Sequence, residues 1–177
     1  MNYIALLRGI NAGKGRRVEM KKLKACFESL GYKNVSTYIN SGNVIFESTG
    51  SDQKNIRKVV EAGLRKEFGF DIPALIKTQK EMIGIADTIP EAWQNNETQR
   101  SDVAFLFPEI DSKKSINELP VRAEFMDIRY IKGALCWNID RKNYNKSNLN
   151  KIISHKFYQY MTVRNINTVR FLAGIKK

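Results

Sequence analysis

The amino-acid sequence predicts an α+β protein made of two ferredoxin-like subdomains, residues 1–78 and a variant over 79–177, each an antiparallel sheet with its helices on one face. Two patterns carry this. The first half alternates short apolar runs with amphipathic helical stretches in the order β-α-β-β-α-β, and the second half repeats β-α-β-β-α before ending in a helix. At 177 residues, with 42% hydrophobic and 27% charged side chains, the chain is long enough to bury two small cores without disulfide or metal staples.

The elements follow in order. Tyr3 to Ile10 is an apolar run suited to a central strand. Asn11 to Arg17 contains Gly13 and Gly15 and reads as a loop. Met20, Leu23, Phe27 and Leu30 recur at helical spacing, so Glu19 to Leu30 is a helix that Gly31 stops. Val35 to Ile39 and Val44 to Phe46 form a hairpin about Asn40-Ser41-Gly42-Asn43. Asp52 caps a helix to Phe68 with Ile56, Val59, Val60 and Leu64 inward, and Pro73 to Lys77 is the fourth strand.

A helix from Gln79 to Ala86 opens the second half, and the polar stretch Glu91 to Ser101 reads as a linker or long loop. Val103 to Phe107 is a strand and Ser112 to Leu119 a short helix. Phe125 to Ile131 and Leu135 to Ile139 pair about Lys132-Gly133. Ser147 is positioned to cap a helix carrying Leu149, Ile152, Ile153 and Phe157. A last helix, Val163 to Leu172, buries Val163, Ile166, Val169 and Leu172.

Charge is segregated. The net +12 includes +6 between Arg8 and Lys33, −6 between Glu81 and Asp127, and +9 from Arg141 to Lys177, where no acid occurs. Such a distribution concentrates anions at a positive face, or else solvates it. Cys26 and Cys136 lie in apolar segments and read as buried free thiols of a reducing compartment. One histidine, His155, and no paired-cysteine spacing leave no metal site, and His155 reads as a helix-surface residue. No apolar run nears the roughly 20 residues of a membrane span. Met1 to Ile10 lacks the pattern of a secretory signal, so a cytoplasmic location without membrane partners is expected.

Three polar motifs stand out. Gly9-Ile10-Asn11-Ala12-Gly13-Lys14-Gly15 joins a strand to a helix but has neither the spacing nor the hydroxyl of a nucleotide phosphate loop, and it lacks the third glycine of the dinucleotide fingerprint. Its amides, with Lys14, Arg16 and Arg17 at a helix start, still suit an anion, or form a solvated loop. Because the first and second strands of this topology run the same way, Arg8 and Asn11 should meet Asn40, Ser41 and Asn43 at one rim of the sheet. The third motif, Thr162 to Thr168, sets Arg164, Asn167 and Thr168 on one helical face with Thr162 or Asn165 as a cap. An RNA-recognition sheet fits poorly, since the third strand, Asn43 to Glu47, has one aromatic and an acid; Tyr3 and Tyr38 are the remaining rings for stacking.

The segments Tyr3 to Asn11, Thr37 to Val44 and Thr162 to Thr168 resemble, in order, the bacterial family catalogued as domain of unknown function 1697. The resemblance implies a two-part α+β protein with ferredoxin-like halves and brings no activity, cofactor or catalytic residue. The family often has an aromatic where Ile166 stands, and a glycine-glycine loop where Lys14 splits Gly13 and Gly15.

The function expected is binding of a phosphate-bearing anion, a nucleic acid or a phosphorylated small molecule, through Arg8, Asn11, Lys14, Arg16, Arg17, Asn40, Ser41 and Asn43, with Arg164, Asn165 and Asn167 contributing. The alternative is an enzyme acting on a small phosphorylated metabolite in a cleft between the halves, against which stands the lack of Asp, Glu or His in the three motifs. A third reading is an interaction module for an acidic protein. No cofactor is implied.

Overall fold

The computed structural model describes residues 1–12 and 16–174, with residue 116 described by its backbone alone. The chain divides into two compact units, Met1–Met82 and Ile83–Lys177.

The first unit runs β1 (Asn2–Leu7), α1 (Met20–Ser29), β2 (Lys33–Tyr38), β3 (Asn43–Glu47), α2 (Gln53–Phe68) and β4 (Ala74–Thr78). Its sheet has the order β2-β3-β1-β4, antiparallel at every pairing, so β1 and β2 point the same way. Strand alternation sends Tyr3, Ala5 and Leu7 into a core with Leu23, Cys26 and Phe27 of α1 and Ile56, Val60 and Leu64 of α2. Phe46 centres it, with ring centroids 5.3 Å from Phe27, 4.6 Å from Tyr32 and 5.8 Å from Tyr3. Ile4 and Leu6 are fully buried too, which is why β1 reads as an unbroken apolar run.

Helix ends follow the predicted chemistry. Asp52 caps α2 through the Lys54 amide (2.9 Å), and Gly31, at φ +87°, ends α1. Val59, expected inward, is exposed, because Ile56, Val60 and Leu64 at four-residue spacing define the buried line and Val59 falls outside it. The strand expected to reach Ile10 stops at Leu7, just before Gly9 turns to φ +73°.

From β4 the chain enters α3 (Gln79–Asp87) through a reciprocal cap. The Thr78 hydroxyl accepts from the Glu81 amide (3.1 Å), while Glu81 Oε2 accepts from the Thr78 amide (2.8 Å) and hydroxyl (2.9 Å) and from Gln53. The Thr-x-x-Glu signature stands in the sequence at Thr78-Gln79-Lys80-Glu81.

The second unit continues with β5 (Gln99–Leu106), α4 (Ser115–Glu118), β6 (Asp127–Ile131), β7 (Ala134–Asp140), β8 (Met161–Asn165) and α5 (Ile166–Leu172). Its antiparallel sheet has the order β6-β7-β5-β8, the same pattern as β2-β3-β1-β4. The final helix expected from Val163 is therefore corrected: residues 161–165 supply the fourth strand, and helix begins only at Ile166, capped by Asn165 Oδ1 on the Thr168 amide (2.9 Å). Alternation of Met161 and Val163 toward one face with Thr162 and Arg164 on the other satisfies a strand as well as a helix.

Two more expectations change. Gln99 to Ser101, placed in the polar linker, opens β5, and the preceding loop is tied down by Asn96 Oδ1, which accepts from the amides of Thr98 (3.0 Å) and Gln99 (2.8 Å). The helix expected after Ser147 is a series of 3-10 pieces, Arg141–Asn143, Leu149–Ser154 and Lys156–Tyr160. Ser147 does accept from the Leu149 amide (3.2 Å), but Ile153 stands in solvent and His155 is a half-buried cap, its Nδ1 accepting from the Phe157 amide (3.3 Å). The β6–β7 turn is pinned by Asp111, whose Oδ1 accepts from Tyr130 Oη (2.9 Å) and the Gly133 amide (2.8 Å). No described helix is long and apolar enough to cross a membrane.

Burial pushes the Glu81 carboxyl up, but the Thr78 amide, the Lys77 ammonium, the Thr78 hydroxyl and Gln53 together outweigh it and hold the group below its ordinary value of 4.5. A carboxyl lowered in the fold stabilises above its unfolded pKa, and that stabilisation disappears as pH falls through the folded value. Glu81→Gln should therefore have a lower melting temperature than wild type at pH 7, with the gap closing as thermal scans descend below about pH 4.

Candidate functional site

The rim lies where β1 ends beside the β2–β3 turn. The Leu7 amide donates to the Gly42 carbonyl (2.8 Å), which carries the pairing of β1 with β3 one step past the strand. Gly42 sits at φ +74°, and a Cβ there would lie 2.7 Å from Ile10 Cδ1 and 2.8 Å from Leu7 Cβ. Only glycine combines that backbone conformation with that approach.

Asparagines brace the loops. Asn11 Nδ2 donates to the Val18 carbonyl and the Asn40 carbonyl (both 2.9 Å), and its Oδ1 accepts from the Val18 amide (2.8 Å). One side chain thus closes the loop after β1 and fastens it to the hairpin. Asn43 is completely buried and donates to the Tyr38 carbonyl (3.0 Å) and Ser41 Oγ (2.9 Å), closing the turn from inside. These residues meet at the rim as the topology predicts, but their amides, expected as ligand donors, are engaged in loop architecture instead. Turn-forming Asn-Ser-Gly-Asn and binding Asn-Ser-Gly-Asn are identical in sequence; only the hydrogen-bond partners distinguish them.

The cations remain. Asn11, Arg17, Val18, Glu19, Met20, Lys21 and Asn40 line an open depression of about 570 Å³ at the start of α1. Among the described residues this helix has no side-chain cap: Glu19 occupies the N-cap position without a cap hydrogen bond, and the first turn holds no acid. Its first amides point out of the helix end, where partial positive charge collects. Arg17 and Lys21 flank it, and the Arg16 guanidinium stands 5.6 Å over the Phe70 ring. Lys21, absent from the expected site, has a signal in the sequence: it falls in the first turn of the predicted helix, close to Arg17. Arg8 is half-buried at the end of β1, its amide donating to the Pro73 carbonyl (2.9 Å). Lys14 lies outside the described residues.

Arg164, Asn165 and Asn167 belong to the second unit. Arg164 is on β8, opposite Val103 of β5, and its Nη1 donates to Thr162 Oγ1 (2.8 Å) and the Val163 carbonyl (2.9 Å). Burial pushes its pKa down to about 10, which leaves it charged at neutral pH. The shared helical face expected for Arg164, Asn167 and Thr168 does not form, because Arg164 is in a strand and Asn165 starts the helix. Asn167 Oδ1 is buried without a hydrogen-bond partner among the described residues. Tyr3, considered for base stacking, is fully buried with its hydroxyl on the Gly50 carbonyl (2.9 Å). Both cysteines are buried, and burial raises Cys136 to about 12. Among the described residues no three His, Cys, Asp or Glu side chains gather as a metal would require.

Residues 1–137 match the family model described as Protein of unknown function (DUF1697). The first two segments of the resemblance lie within that match, and Thr162 to Thr168 lies beyond it. Among solved structures the chain is similar to the conserved bacterial protein SP0830 from Streptococcus pneumoniae, at 24% identity over 99% of this chain and 98% of that one, with a TM-score of 0.84. That likeness establishes the two-sheet α+β fold. No curated protein matches the chain.

Two substitutions separate bracing from binding. Asn43→Ala removes a buried amide that donates to the Tyr38 carbonyl and Ser41 Oγ, and should cost about 2 kcal/mol in urea unfolding. Ile39, 49% exposed at φ +49°, holds a β-branched side chain in the left-handed region. Ile39→Asn relieves that strain and should stabilise the protein by about 1 kcal/mol, raising its melting temperature by a few degrees.

Proposed function

The chain belongs to the DUF1697 family of proteins of unknown function, and we propose that it binds a phosphate-bearing anion at the rim of its first sheet. One observation carries the reading: the uncapped start of α1 opens into a depression flanked by Arg17 and Lys21. Helix-end amides and neighbouring cations acting together favour a compact oxyanion over chloride or a neutral solute. The bracing by Asn11 and Asn43 supports it, since loops held by their own side chains present the helix end without reordering on binding. Among the described residues lining the depression, Glu19 is the acid. Its carboxylate disfavours diffuse anion accumulation there and favours a ligand that also donates a hydrogen bond, such as a nucleotide with its sugar hydroxyls and base.

Calorimetric titration of the full chain at low salt with inorganic pyrophosphate and with a nucleoside diphosphate tests this. Arg17→Ala/Lys21→Ala should weaken binding at least tenfold, since each charge-assisted contact contributes about 1.5 kcal/mol or more. Equal affinity of the double variant and the wild type, or no binding to either ligand, would refute the proposal.

A further inference from the structure

The connection from β7 to β8 departs most from the pattern of the first unit. Where that unit places the regular helix α2, residues 141–160 form the three 3-10 pieces. This twenty-residue span holds five lysines and arginines, four asparagines and four aromatic residues, and no aspartate or glutamate.

The side chains divide according to the three-residue turn of the 3-10 helix. Leu149 and Ile152 enter the core of the second unit, while Asn150, Lys151, Ile153 and Ser154 face solvent, Ile153 at 66% exposure. Tyr144, Phe157, Tyr158 and Tyr160 pack against that core but stay half-buried. Acids outside the span meet two of its cations: Asp140 lies 3.5 Å from Lys142, and Glu118 lies 2.8 Å from Lys156. Arg141 is held by Asn95 (3.1 Å) and the Asn96 carbonyl (2.6 Å). Lys146 and Lys151, both exposed, have no acidic partner among the described residues.

A layer that needed only solubility would intersperse both signs of charge. With Arg141, Lys142 and Lys156 matched from outside the span, Lys146 and Lys151 are the two cations whose charge an extended polyanion would balance. The half-buried rings add flat apolar surface of the kind that bases stack on; the Arg100 guanidinium already lies 4.9 Å over Tyr144 and the Lys156 ammonium 5.0 Å over Phe157, so Tyr160 is the ring that suits a base. A membrane surface fits less well, because short 3-10 turns with one protruding aliphatic, Ile153, offer little apolar face to insert.

We propose that the 3-10 layer of the second unit binds single-stranded nucleic acid, with Lys146 and Lys151 contacting phosphates and Tyr160 taking a base. This surface is independent of the rim: it lies in the other unit and beyond the residues matched by the family model.

The test is fluorescence anisotropy of a labelled 20-nucleotide single-stranded RNA with the full chain, across a range of salt. Lys146→Ala/Lys151→Ala should bind about tenfold more weakly at 0.1 M salt, and its log-affinity against log-salt slope should fall by about 1.4, or about 0.7 for each phosphate no longer neutralised. Lys113→Ala/Lys114→Ala, which removes the same charge from exposed positions elsewhere in the unit, should bind nearly as wild type. Inorganic polyphosphate of matched charge should compete less well than unlabelled RNA. Equal losses for the two lysine pairs, equal competition by polyphosphate, or no RNA binding at low salt would each overturn the proposal. Persistence of pyrophosphate binding in Lys146→Ala/Lys151→Ala separates its failure from failure of the rim.

Discussion

The contact between the β2–β3 turn and the end of β1 governs the first unit. At Gly42 the hairpin passes so close to Leu7 and Ile10 that no Cβ fits, and the Leu7 amide bonds to the Gly42 carbonyl across the gap. That contact makes Val44 face Ala5 and Phe46 face Tyr3, which sets the register of the central pair and hence the side chains that meet beneath α1 and α2. It also decides what the rim is. With the two chain segments in contact, Asn11 can reach the Asn40 carbonyl, and the start of α1 is held where β1 delivers it.

Both units use one strand order with different covering layers. The first covers its sheet with two amphipathic helices; the second packs Ile110, Leu119 and the 3-10 residues Leu149 and Ile152 around Trp137. Antiparallel pairing satisfies the sheet's backbone groups internally, so the covering layer need only supply apolar contacts, and short turns do so as well as a helix. In each unit a helix follows the fourth strand at once, started by a side-chain cap: Thr78 with Glu81 in one, Asn165 with Thr168 in the other. The regular layer leads to a rim built from a helix end, and the irregular layer to a broad basic surface.

Charge and structure also divide between the units. Arg17 and Lys21 of the first unit stand at one helix end, whereas the cations of residues 141–160 are distributed along the 3-10 pieces. Localised and distributed positive charge favour different anions, compact in the first case and extended in the second.

The order of elements in the first unit, most of its core, the Asp52 cap and the meeting of Asn11 with the Asn40 turn were legible in the sequence, because helical and strand periodicity and the direction of β1 and β2 are properties of short segments and one topology. Ile39 in the left-handed region, the strand at residues 161–165 and the 3-10 layer were not. At each of these the local pattern satisfies two conformations, and packing against β5 or the sheet core selects between them. The rim's chemistry was decided the same way. The sequence determined which polar groups arrive there, and only the tertiary structure assigned Asn11 and Asn43 to the loops and left the start of α1 uncapped, because a hydrogen bond is made by whichever partner the fold brings within about 3 Å.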